Sequence, residues 1–181
     1  LYRSNLTSVL STLQRALQTN YQDQKTSLFG IDYQYLNIDN PMNPRKGLAI
    51  NFSGFGGSSK VLINSLFPDD YYDTLSLKNN HFEFGSGIQY FLPFGKRNTM
   101  LFKQNNGLLQ KKQLFTNELY LLGGFNSIRG FNEDNFHASM FQILTLEYRW
   151  LPDRNSYFSV FTDMAYFMDS KIGKMEPLFA Q

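Results

Sequence analysis

"LLGGFNSIRGFNEDN", residues 121–135, interrupts a chain that otherwise alternates apolar and polar residues. It holds a glycine pair, Gly123 and Gly124, then Ser127 and Ile128, then a lone cation, Arg129, followed by Gly130 and Phe131. Taken alone, Arg-Gly-Phe reads equally well as a solvated turn or as a segment laid against a wall. Its neighbours decide between the two.

Those neighbours carry a period of two, the signature of a strand with two different faces. In "SLFGIDYQYLNI" (27–38), Phe29, Ile31, Tyr33 and Tyr35 share one face and Gly30, Asp32 and Gln34 the other. "KGLAINFSGF" (46–55) sets Leu48, Ile50 and Phe52 against Asn51 and Ser53. "HFEFGSGIQYFL" (81–92) opposes Phe82, Phe84, Ile88, Tyr90 and Leu92 to His81, Glu83, Gly85, Gly87 and Gln89. Beyond the opening stretch, "SMFQILTLEYRWL" (139–151) puts Met140, Leu144, Leu146, Tyr148 and Trp150 opposite Thr145, Glu147 and Arg149. "YFSVFTDMAYFM" (157–168) puts Phe158, Val160, Met164, Tyr166 and Met168 opposite Ser159, Asp163 and Ala165.

Composition leaves two classes that such strands can build, a soluble β-domain with an aromatic core or a membrane barrel. Phe and Tyr are abundant, 18 and 11 against one Trp, yet mean hydropathy is −0.36. No window reaches the roughly 18 consecutive apolar residues of a membrane helix. A barrel strand needs apolar residues only at alternate positions. The polar faces favour the barrel: a sandwich exposes Lys, Glu and Thr to bulk water, whereas these are rich in Gly, Asn, Ser and Gln, which suit a lumen. The absence of cysteine excludes disulfides and thiolate metal sites. A net charge of +2 with scattered cations gives no basic stripe for nucleic acid.

Connection lengths point the same way. "NPMNPRKG" (40–47) is a tight turn, with Pro41 and Pro44 fixing φ and Gly47 releasing the chain into the next strand. "PFGKR" (93–97) is similarly short, while residues 57–80 form a long polar stretch. Short turns on one side and long loops on the other are the asymmetry of an outer-membrane barrel, the short side being periplasmic. "RNTMLFKQ" (97–104) is a less regular strand, Asn106-Gly107 signals a turn, and the long loop is expected over about 107–137. Residues 7–21 allow a helix or a strand, the strand being favoured by context, and the tail 171–181 shows no strand pattern. The start at Leu1 without a leader marks the chain as an excerpt of a longer polypeptide.

With these residues in view, the chain resembles the BamA/TamA superfamily of outer-membrane assembly and translocation barrels. "GGFNSIRGF" (123–131) is similar to that family's Gly-Gly-x-x-Ser-[Val/Ile/Leu]-Arg-Gly-[Phe/Tyr] signature, carried on a loop that folds back into the barrel lumen. "NPMNPRKG" resembles its Pro-x-x-Gly turn, here Pro44 and Gly47, and "QYFLPFGKRNTMLFKQNNGLL" the following hairpin. "LTLEYRW" and "FSVFTDMAYFMD" resemble the two strands after the loop, whose acids meet the loop arginine. The resemblance spans about residues 27–169.

It implies an all-β transmembrane antiparallel barrel, of which this C-terminal portion (1–181) holds about six or seven strands from roughly sixteen, with POTRA repeats upstream. It also implies assembly of outer-membrane proteins without bond-making chemistry, cofactor or metal. Implied partners are unfolded barrel clients, periplasmic chaperones, accessory lipoproteins and membrane lipid. Alternatives are a TamA-like or two-partner-secretion translocator, a passive channel, and the soluble β-domain.

The chemistry of the signature follows from burial. A loop inside a barrel loses bulk water, so its backbone groups need partners, and glycines let it turn and approach the wall. Arg129 offers a planar fork of donors to carboxylates; Glu147 and Asp163, inward on adjacent strands, are its expected acceptors. Arg149 competes for Glu147, two residues away on the same face. Phe131 is expected beside the guanidinium or against the wall.

Other constellations are weaker. Asp69, Asp70 and Asp73 with Tyr71 and Tyr72 lack the spacing of a calcium loop and read as solvated. His81 and Glu83 read as a polar pair facing the lumen, with no nucleophile beside them. Phe91, Phe94 and Tyr120 are candidates for an interfacial aromatic girdle or for buried sheet contacts.

Overall fold

The computed structural model describes residues 1–7, 22–63, 73, 75–153, 156–169 and 174–180. The alternating segments form long antiparallel strands: β1 (Tyr2–Thr7), β2 (Gln24–Ile38), β3 (Gly47–Val61), β4 (Lys78–Phe94), β5 (Asn98–Lys111), the short β6 (Tyr120–Leu122), β7 (Phe136–Trp150), β8 (Phe158–Asp169) and β9 (Lys174–Ala180). Eight of them follow one path, β1-β2-β3-β4-β5-β7-β8-β9, and β6 pairs with β7. The sheet is a partial barrel, not closed upon itself. Among the described residues no helix is long and apolar enough to cross a membrane.

The two faces sort as the alternation requires. Outward lie Phe29, Ile31, Tyr33, Phe82, Ile88, Tyr90, Phe102, Leu144, Val160 and Met164, all exposed; inward lie Ser59, His81, Thr99, Thr145, Glu147 and Asp163, all buried. Each sheet position is locked by register, so that Thr145 pairs with Asp163 and Glu147 with Phe161. Slipping any strand by one residue would exchange these faces.

Several expectations are corrected. The strands number more than six or seven. Asn106-Gly107 is no turn: β5 runs straight through it, Asn106 pairing with Ser86 on one side and Gln142 on the other. An Asn-Gly turn needs positive φ, and neither residue has it. Both edges of β5 are occupied by long partners, and those ladders override the local signal. Gly107 is small because Phe141 lies where its Cβ would be. Ser86, Asn106 and Gln142 also lie on the outward side, where Asn106 Nδ2 donates to Ser86 Oγ at 3.0 Å, so the oily face is broken by a polar row. The tail is a strand too, since β9 pairs with β8 from Asp163–Ala180 to Asp169–Lys174. Pro177 masked the pattern by interrupting its donors. The long loop spans 112–135, between Lys111 and Phe136, instead of 107–137.

Of the ambiguous 7–21 segment, only Thr7, the last residue of β1, is described, and the helix-or-strand question lies outside the described residues, as do Asp69, Asp70, Tyr71 and Tyr72. Among the described residues no group of three or more His, Cys, Asp or Glu is placed to hold a metal ion. The girdle candidates separate. Phe94 is exposed and packs on Tyr148 at 5.8 Å, whereas Phe91 is buried on the inner face, and Tyr120 packs edge-on against Phe141 at 5.0 Å.

The β2–β3 turn shows how the short connections are set. Asp39 Oδ1 accepts from the backbone N–H of Arg45 (2.9 Å) and Lys46 (3.1 Å), Pro44 is buried, and Gly47 sits at φ 130°, where a Cβ would overlap the carbonyl of Asn37. Burial pulls the Asp39 carboxyl upward, but the backbone donors of Arg45 and Lys46 together prevail and hold it below its ordinary value. A carboxyl depressed on folding stabilises above its unfolded pKa and loses that contribution as pH falls through the folded one. The urea-midpoint difference between wild type and Asp39→Ala should therefore be present at neutral pH and disappear in acid. A difference that persists below the carboxylate range would show that the turn does not depend on the ionised group.

Candidate functional site in the lumen

The loop between β5 and β7 doubles back along the inner wall. It turns by local means first. Gly123 (φ 119°), Gly124 (φ 83°) and Gly130 (φ 89°) adopt the left-handed backbone that residues with a Cβ avoid. Ser127 closes the turn: its Oγ accepts from Gly123 N–H and donates to the Gly123 carbonyl, both at 2.7 Å. Gly124 N–H donates to the Phe131 carbonyl at 3.1 Å. Glu133 lies where a Gly124 Cβ would be and accepts from Phe125 N–H at 3.1 Å. The loop also contributes β6, which takes the edge of β7 at 136–138 just where β5 leaves it. Backbone groups at that divergence are thus paired.

The turn delivers Arg129 to the wall. Its Nε and Nη2 donate to Asp163 Oδ2 and Oδ1, each at 2.8 Å, a two-pronged pairing. Nη1 donates to Glu147 Oε2 at 2.8 Å. The Arg129 backbone N–H also reaches Asp163 Oδ2, at 3.3 Å, and Thr145 Oγ1 donates to Asp163 Oδ1 at 2.7 Å. Side-chain exposure is 15% for Arg129, 5% for Glu147 and 1% for Asp163, so little water competes. Hydrogen bonding to Asp163 first, and to Glu147, raises the guanidinium pKa against the opposing pull of burial. The arginine is a permanent cation.

The two acids anticipated from strand alternation are brought onto the arginine. The competing pairing of Glu147 with Arg149 is present at the same time: Glu147 Oε1 accepts from Arg149 Nε at 2.8 Å while Oε2 holds Arg129. One carboxylate therefore bridges two guanidinium groups. Phe131 does not stack on Arg129; its ring meets Phe136 at 5.3 Å. The aromatic beneath the guanidinium is Phe161 on β8, 3.4 Å from Cζ to ring centre, a cation–π contact.

Ile128 supplies the other half of the grip. It is fully buried in a cluster with Leu122, Ala138, Ile143, Ala165 and Phe167, flanked by Tyr120, Phe131, Phe136 and Phe141. The lumen wall beneath the loop is thus an apolar seat bordered by charge, and wholly polar it is not. Phe141, Ile143, Phe161 and Phe167 signal this seat in the sequence, as apolar residues on faces that alternation assigns to water. Pro44 and Gly47 lie at the far turn and take no part in the site.

The geometry holds a loop in place against two adjacent strands. A family profile described as the Omp85 superfamily domain matches residues 2–176. No curated protein matches the chain.

Proposed function

The chain belongs to the Omp85 superfamily, outer-membrane β-barrels that insert or translocate proteins, and on that footing we propose that it is the C-terminal part of a BamA-like insertase, which folds client β-barrels into the outer membrane. The observation that supports this reading is the grip of Asp163 and Glu147 on Arg129. A machine that lends its wall to folding clients must keep its own barrel in shape while strands exchange at its edge, and a lumenal strut between a loop and two adjacent strands does that without occupying the outer face. The work is non-covalent. An unfolded client would add strand by strand through β-augmentation, each new backbone edge being covered as it forms. POTRA repeats, periplasmic chaperones and accessory lipoproteins would deliver it, and lipid would receive it. No cofactor or metal enters this scheme.

Depletion of the full-length protein in its own cell tests the proposal. Levels of many heat-modifiable outer-membrane barrels should fall together. Loss of one secreted protein with barrels intact would instead identify a translocator, and altered ion conductance alone a passive channel.

A further inference from the structure

A second charged cluster lies at the other end of the same loop. Lys111, the last residue of β5, has no side-chain exposure. Its Nζ donates to Glu118 Oε1 (2.7 Å), Gln24 Oε1 (2.6 Å) and Ser59 Oγ (3.0 Å), which uses all three ammonium donors. Glu118 is 10% exposed and belongs to the short 3-10 turn Thr116–Glu118. Its second oxygen accepts from Phe115 N–H at 3.0 Å. Phe115 is fully buried against Val61 and Leu75, with Lys111 Nζ 5.5 Å from its ring centre.

The cluster reaches four further strands. His81 Nδ1 on β4 stands 3.8 Å from Glu118 Oε1, and its Nε2 is 3.1 Å from Glu83 Oε1. Glu83 in turn holds Arg3 of β1 at 2.9 Å. Gln24 and Ser59 belong to β2 and β3, and Ser59 Oγ donates to Gln24 Oε1 at 2.9 Å. Asn117 Nδ2 also donates to the Gln22 carbonyl at 2.9 Å.

An ammonium removed from water is costly unless fully partnered, and an apolar side chain would fill that space more cheaply. What a buried ion pair can provide in return is a unique registry. The pair closes the chain from the end of β5 to the 3-10 turn, so it sets the direction in which the loop leaves the wall; β6 follows within two residues and pairs with β7. We infer that Lys111 and Glu118 form a second, root anchor of the lumenal loop, which positions the signature turn over Asp163 and Glu147. The inference concerns loop placement and holds whether the protein inserts or translocates.

Amide exchange of the full-length protein in lipid vesicles tests it, read separately for residues 112–122 and 123–131. Glu118→Gln leaves the Lys111 ammonium without its counter-charge and should speed exchange roughly tenfold or more in both segments. The double variant Lys111→Met/Glu118→Gln removes both charges, so it should keep the heat-modifiable folded band of wild type, while exchange in 123–131 is fast because the registry is lost. Lys111→Arg, which keeps the charge opposite Glu118, should leave the tip protected. Faster exchange in 112–122 with 123–131 unchanged would reduce the pair to local packing and overturn the inference. So would unchanged exchange throughout.

Discussion

Arg129→Met should lower the unfolding free energy of the full-length barrel by roughly 3–5 kcal/mol, the cost of leaving a buried ionic network without one partner. Deleting the cation leaves Asp163, 1% exposed, with the Thr145 hydroxyl and the backbone N–H of residue 129 at 3.3 Å as donors and no counter-charge from the loop, and leaves Glu147 to Arg149 alone. Solvent screening does little to soften the loss, because the guanidinium itself is 15% exposed. Arg129→Lys should recover only a small part. A point charge on a flexible stem cannot reproduce two parallel bonds to Asp163 while also reaching Glu147 and stacking on Phe161. Asp163→Asn should be the milder change, since one oxygen acceptor remains and Glu147 still pairs with the arginine, its charge shared with Arg149. Urea unfolding in vesicles measures all three. A wild-type midpoint for Arg129→Met would show that the strut carries no load.

Ile128→Ala is the second large effect, about 2–5 kcal/mol for truncating a buried aliphatic side chain in a packed cluster. Ile128 is fully buried, and its neighbours Leu122, Ile143 and Phe167 come from both the loop and the wall. They cannot collapse into the void without moving strands held in register by β7 and β8. Ile128→Val should cost about 0.5–1.5 kcal/mol. Because Ile128 and Arg129 are consecutive and hold the same turn, their effects should not add; once one has freed the tip, losing the other matters less. Strict additivity in the double variant would mean that charge and apolar seat act on separate structures. A cost below that of Ile128→Val would mean that the seat is not closed in the membrane.

Much of this protein was legible without coordinates. Period-two alternation is a property of one pleated strand and requires no knowledge of its neighbours. It was enough to place Glu147 and Asp163 inward on neighbouring strands; that Arg129 lies on a loop facing them was what the family resemblance implied. The turn at Pro44 and Gly47 is local in the same sense, since φ at those positions depends on the residues themselves.

What alternation could not supply is any relation between segments far apart in the chain. Asn106-Gly107 carries a turn signal that only two flanking ladders override, and β9 became a strand only because β8 presents it an edge. The sharing of Glu147 between Arg129 and Arg149, the ring of Phe161 under the guanidinium, and the burial of Lys111 beside Glu118 all depend on how a loop lies across a wall. Local order was sufficient for the cleanly alternating strands, their two faces and the single cation of the signature, because those follow from backbone geometry and residue type. Which groups meet came from the folded arrangement, because pairing energies in a lumen depend on distance and exclusion of water, and neither is written in local order.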